Sequence, residues 1–193
     1  MIRFSWEILE SLARDYKEPQ MKLAQMVRRG EIHRVIRGLY ETDGNTPGYL
    51  LASAIYGPSY LSFEYALSRC GLIPEKVATF SSATFGKNKT REYRTPFGNF
   101  TYNDVPSKAF PHAVTLVEEN GRPYQLASCE KALCDMLYKS RPVRNRNDFA
   151  SLLFDDLRID SSDFANLDFA LIHFLAPLYR KRNLFFLNET RRP

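Results

Sequence analysis

Residues 21–40, Met-Lys-Leu-Ala-Gln-Met-Val-Arg-Arg-Gly-Glu-Ile-His-Arg-Val-Ile-Arg-Gly-Leu-Tyr, change their apolar period halfway along. Leu23, Met26 and Val27 recur at helical spacing, which predicts a helix with one buried face. Gly30, directly after Arg28 and Arg29, marks its C-terminus, because glycine enters the left-handed conformation that closes a helix at no steric cost. Beyond it, Ile32, Arg34 and Ile36 interleave with His33, Val35 and Arg37 up to Gly38-Leu39-Tyr40, the alternation of a strand running into a turn. Five cations, Lys22, Arg28, Arg29, Arg34 and Arg37, face the single anion Glu31 in this stretch. A short helix feeding a basic hairpin fits two structures: an ordinary corner with solvated arginines, or a surface that meets a polyanion.

The flanking sequence sets this unit apart. Residues 5–16 predict an amphipathic helix with Ser5 as N-cap and Trp6, Leu9, Leu12 and Ala13 as its apolar stripe. Pro19 suits the first turn of the next helix. Thr42-Asp-Gly-Asn-Thr-Pro-Gly48 is the clearest linker in the chain, giving domains at 1–42 and 47–193. With 44% hydrophobic and 13% aromatic residues, a chain of 193 residues can bury one sizeable core or two small ones. After the linker, residues 49–56 and 61–70 predict two helices broken at Gly57-Pro58, with Gly71 stopping the second. A strand over 77–85 follows, then a hairpin pairing 91–95 with 100–105 across Pro96-Phe-Gly-Asn99. A second hairpin pairs 114–118 with 124–127 across Glu119-Asn-Gly-Arg122. Ser128 predicts the cap of a helix through residue 138, and helical segments at 147–157 and 162–176 precede a basic, aromatic tail after Pro177. Helical, then β-rich, then helical order argues for an α+β fold and against a doubly wound parallel sheet.

A net charge of +5 permits a polyanionic partner without demanding one. Lys22, Gln25 and Arg29 recur at i, i+3 and i+7, so one helix face could reach base edges or phosphates. Arg34 and Arg37 on the hairpin suit phosphate or the minor groove. A second basic surface comprises Lys87, Lys89, Arg91 and Arg94, and a third cluster of Arg141, Arg144 and Arg146 reads as a connection between helices. The aromatics Phe80, Phe85, Tyr93, Phe97, Phe100 and Tyr102 could stack bases, but the core face of a sheet is the favoured reading. Ser128-Cys-Glu-Lys131 matches the Ser-x-x-Lys pattern of acyl-transferring serine enzymes, yet the companion elements are missing and a helix cap explains Ser128. Asp155, Asp156, Asp160 and Asp163 read as an acidic solvated turn. Cys70, Cys129 and Cys134 are odd in number and form no CxxC, and the three histidines stand far apart, so no metal site is expected. The cysteines are expected to be reduced core residues. No window reaches the ~20 apolar residues of a membrane span. The N-terminus lacks a signal-peptide core, so the expected location is cytoplasmic.

Met26-Val-Arg-Arg-Gly-Glu-Ile-His-Arg-Val-Ile-Arg-Gly-Leu-Tyr40 resembles the helix and wing of AbiEi-type antitoxins, which belong to bacterial type IV toxin–antitoxin, abortive-infection systems of phage defence. The resemblance continues in Tyr60-Leu-Ser-Phe-Glu-Tyr-Ala-Leu-Ser-Arg-Cys-Gly-Leu-Ile-Pro74, in Thr95-Pro-Phe-Gly-Asn-Phe-Thr-Tyr102 and in Tyr124-Gln-Leu-Ala-Ser-Cys-Glu-Lys-Ala-Leu-Cys-Asp-Met-Leu-Tyr138. Four motifs in order over roughly residues 20–140 are more specific than any one of them. The resemblance implies a non-enzymatic protein without cofactor. Its winged-helix domain would repress its own operon by binding operator DNA through Lys22, Gln25, Arg28, Arg29, Arg34 and Arg37. Its C-terminal α+β domain would counteract a nucleotidyltransferase-like toxin, with no stable complex required. Two departures stand out. Between Tyr16 and Lys22 there is no room for the extra helix that usually precedes the recognition helix, so the winged helix is expected to be one helix short. Cys129 replaces the family's usual proline. Residues after 140 carry no family motif. The alternative is a protein-interaction module whose degenerate winged helix does not bind DNA.

Overall fold

The computed structural model describes residues 1–119 and 121–190, a mixed α+β fold. Its first unit runs β1 (Ile2–Phe4), α1 (Ser5–Ala13), α2 (Pro19–Arg28), β2 (His33–Ile36) and β3 (Leu39–Glu41). The strands form an antiparallel sheet in the order β1-β3-β2. Pro19 occupies the first turn of α2, where its missing N–H costs nothing. Gly30 (φ +70) ends that helix: its N–H donates to Val27 O at 3.1 Å and the Glu31 N–H to Met26 O at 3.0 Å. This pair of bonds satisfies the last carbonyls of the helix and turns the chain into β2. Ser5 is the first helical residue and not the cap; the Phe4 N–H donates instead to the Glu7 carboxylate at 3.0 Å. The buried stripe is also rotated from the expected one. Ile8, Leu23 and Ile32 form the small core with Leu9, Leu12 and Met26 against it, while Trp6 is 63% exposed.

The second unit is built on a six-stranded mixed sheet in the order β6-β7-β5-β4-β9-β8. Its strands are β4 (Tyr60–Leu61), β5 (Thr79–Thr84), β6 (Arg91–Thr95), β7 (Gly98–Asp104), β8 (Val114–Glu119) and β9 (Arg122–Ala127). The pairs β5/β7 and β4/β9 are parallel and the others antiparallel. Both expected hairpins form, the first across a tighter turn in which Thr95 already pairs with Gly98. Asn120, in the second turn, lies outside the described residues.

Three helical expectations are corrected. Residues 49–56 give only a 3-10 turn (Gly48–Leu50) and the single turn α3 (Ala52–Ile55), which stops where Tyr56 takes an extended backbone (φ −151, ψ 99) ahead of Gly57-Pro58. Residues 61–70 divide into β4 and α4 (Phe63–Arg69), since Tyr60 and Leu61 are captured between two strands. The segment 162–176 divides into α7 (Ser161–Ala165) and α8 (Phe169–Leu175), because the Asp168 carboxylate accepts the Leu171 N–H at 3.0 Å and starts a new helix. The supposed tail continues as a 3-10 turn (Ala176–Tyr179) and then α9 (Arg182–Glu189). As expected, Ser128 caps α5 (Cys129–Lys139), its Oγ accepting the Lys131 N–H at 3.2 Å. Asn145 caps α6 (Arg146–Ser151), which runs into a π turn over Leu152–Asp156.

The cysteine expectation fails for two of the three. Cys70, at the end of α4, and Cys129, at the start of α5, form a disulfide with Cα atoms 6.0 Å apart. The two helices pack side by side, which brings together residues that sequence spacing cannot relate. Cys134 remains a free thiol in the core, its pKa pushed up by burial.

One face of the large sheet carries the helical layer, with Phe63, Leu67, Leu133, Leu137, Ile172 and Leu187 fully or almost fully buried. Phe100, Tyr102, Leu51 and Leu61 share a second cluster with Val35 and Leu39, so the β2–β3 hairpin packs against the other face. The aromatics of the strands therefore fill a core: Phe80 and Phe100 lie 5.1 Å apart, Tyr93 and Tyr102 5.8 Å. Across the same junction, Arg122 donates to Glu41 at 2.9 Å and to Thr46 at 2.9 Å. Burial pushes the Glu41 carboxyl up, but the Met1 ammonium, the Asp43 N–H and Arg122 outweigh it and hold its pKa below the ordinary value. No helix among the described residues is long and apolar enough to cross a membrane.

Candidate nucleic-acid interface

The cations of residues 22–37 fall into two groups. Helix α2 presents Lys22, Gln25 and Arg28 along one open groove of about 500 Å³, closed on its far side by Tyr16, Lys17, Glu18 and Met21. The Lys22 ammonium sits 5.1 Å over the Tyr16 ring. Arg28 lines this groove and Arg29, at the C-cap with its N–H on Gln25 O, does not. Arg29 pairs with Glu31 at 3.8 Å, an exposed contact worth a few tenths of a kcal/mol. On the hairpin, Arg34 is exposed while its neighbour Val35 is buried against the large sheet, and Arg37 is exposed in the turn before Gly38. Among the described residues, Lys22, Arg28, Arg34 and Arg37 form no ion pair, whereas Arg69, Arg122, Lys139, Arg146 and Arg158 of the larger unit each do.

The second basic surface does not stay together. Asp104 gathers the Lys87 and Asn88 amides at 2.6 and 2.5 Å, and the Lys87 ammonium lies 5.2 Å over the Tyr56 ring. Lys89 is exposed on the loop. Arg91 and Arg94 stand on the edge strand β6, where three residues of separation sends them to opposite faces.

Ser128 and Lys131 do not form a reacting pair. Only the Lys131 backbone reaches the serine; its ammonium donates to Ala109 O (2.8 Å) and Tyr179 Oη (2.6 Å) and pairs with Asp135 at 3.2 Å. Tyr179, Tyr60 and Ser62 donate to the same carboxylate at 2.6, 3.0 and 2.7 Å. All five side chains are buried. Burial lowers the Lys131 pKa, with Asp135 opposing it, and raises those of both tyrosines. This network escaped the sequence reading, although Lys131 and Asp135 at i, i+4 inside an apolar helix were its signal.

No protein-family model matches the chain, and no similar curated protein was found.

Proposed function

We propose that this protein is a regulator of the AbiEi antitoxin type, with residues 1–42 as a winged helix reduced to two helices and residues 47–193 as the unit that opposes a nucleotidyltransferase-like toxin. The observation that carries the DNA half is the grouping, on α2 and the adjoining hairpin of the small unit, of Lys22, Arg28, Arg34 and Arg37, which form no ion pair among the described residues. On this reading Lys22, Gln25 and Arg28 meet base edges or phosphates, Arg29 assists, and Arg34 and Arg37 hold the backbone. The second basic surface, Lys87, Lys89, Arg91 and Arg94, contributes at most single phosphate contacts. The test is a binding titration on the DNA upstream of the gene across a salt series. Log affinity should fall linearly with log salt, by about 0.9 per neutralised phosphate. No binding at low salt, or affinity indifferent to salt, overturns the DNA half. Co-expression with the adjacent nucleotidyltransferase-like reading frame tests the other half, with restored growth as the expected outcome.

A second reading, a protein-interaction module, is favoured by Trp6 and Met21, both 63% exposed on the same small unit. It expects no salt-dependent DNA binding by the wild type and loss of toxin protection in Trp6→Ala.

A further inference from the structure

The turn from Ala176–Tyr179 into α9 walls an open groove of about 430 Å³, carrying Pro177, Arg180, Lys181, Arg182, Phe185 and Asn188. Among the described residues, three of its lining side chains are cations and none is a carboxylate. Helix α9 starts inside it with no side-chain cap among the described residues and no acidic residue in its first turn, so no side-chain anion competes at its positive end. By contrast, Ser128, Asn145, Asp160 and Asp168 cap the four helices before it.

The cations are held apart. Lys181 donates to Tyr138 O, and Arg182 donates to Arg144 O while lying 5.7 Å over the Phe186 ring. Arg180 is exposed, makes no ion pair among the described residues, and holds φ +49, a left-handed conformation unfavourable for a residue with a Cβ. Phe185 is 57% exposed, and the Asn188 Oδ1 is buried without a hydrogen-bond partner among the described residues. The groove also borders the arginine connection. Asn183, fully buried, donates to Leu137 O and Arg141 O at 3.0 Å and accepts the Val143 N–H at 2.9 Å, which fixes exposed Arg141 and Arg144 beside α9.

We propose that this groove binds a nucleoside phosphate, the phosphate on Arg180 and the start of α9 and the base against Phe185. The charge selects an anion, the uncapped helix start suits a phosphate, and the exposed ring offers a stacking face that every base can use. The volume is that of a small-ligand site and short for a folded partner. This site is separate from α2 and the hairpin, and it stands whether or not those bind DNA.

Calorimetric titration of the full chain at about 0.15 M salt with ATP, adenosine, tripolyphosphate and a 5′-phosphorylated tetraadenylate tests it. ATP should saturate below about 1 mM and bind about tenfold tighter than adenosine or tripolyphosphate. Arg180→Gly relieves the positive φ and keeps the fold, and it should weaken ATP about tenfold, as should Phe185→Ala. Tighter binding of the oligonucleotide than of ATP assigns the ligand to a strand end, and equal binding to a free nucleotide. The proposal is overturned by absent saturation, by tripolyphosphate matching ATP, or by ATP binding that survives Arg180→Gly but is lost in the Arg34→Ala, Arg37→Ala double variant.

Discussion

The two units spend their charges in opposite ways. In the small one, the core is three buried residues, Ile8, Leu23 and Ile32, and Arg28, Arg34 and Arg37 form no ion pair among the described residues. Inside the large one, Lys131 and Asp135 are withdrawn from water and satisfied by Ala109, Tyr60, Ser62 and Tyr179. An unpaired surface cation is available to a partner and contributes little to folding. A buried pair is the reverse: its removal leaves an uncompensated charge in the core. The small unit is stabilised largely from outside, by Val35 and Leu39 packing on the large sheet and by Glu41 on Arg122.

The sharpest way to break this contrast is Asp135→Ala, which strands the Lys131 ammonium. It should cost about 3–5 kcal/mol in urea unfolding. Lys131→Met with Asp135→Leu should recover most of that loss, and a double variant as unstable as the single would mean that the charge is not the cause. Cys70→Ser comes next, because it opens a loop with a sequence separation of 59. Such a loop is worth about 2–4 kcal/mol, read as a fall in melting temperature that a reductant imposes on the wild type but not on the variant. Glu41→Gln should cost about 1.5–3 kcal/mol through weakened charged hydrogen bonds. Since the Glu41 pKa is lowered on folding, its contribution is complete above the unfolded value of about 4.3 and is lost as pH falls through the folded one. The gap between wild type and Glu41→Gln should therefore close in acid melts. Smallest on stability is Arg34→Ala, within about 0.5 kcal/mol. On DNA, the same change should lower the salt slope by about 1.

What could be read from the sequence was local. Gly30 closing α2, Pro19 opening it, Ser128 capping α5 and the hairpin around Pro96-Phe97 each depend on a few adjacent residues. What could not be read depends on distant neighbours. Tyr60 and Leu61 sit at helix-compatible positions, and only β5 and β9 on either side make them a strand. Cys70 and Cys129 meet because α4 packs on α5. Trp6 fits an apolar stripe on paper, but the face that packs on α2 is centred on Ile8. Within the DNA candidates, helical spacing placed Lys22 and Gln25 together, and the groove they line adds Arg28. The groove at α9 was legible only as a basic, aromatic run, since its shape depends on a helix that the run did not announce.

The brevity of β4 has a mechanical meaning. Two residues join β6-β7-β5 on one side to β9-β8 on the other, through Tyr60 and Leu61 paired with Ala83 and Ser82 and through Leu61 beside Leu126. So short a ladder cannot by itself make two ribbons melt as one. Cooperation across the seam also passes through side chains: Tyr60 and the adjacent Ser62 are tied by Asp135 to the helix behind the sheet, and Tyr124 shares a core cluster with Phe100 and Tyr102. A weakened carboxylate should therefore show itself first as a sheet that opens in halves, with amide protons of β8 and β9 exchanging independently of those in β5 and β7.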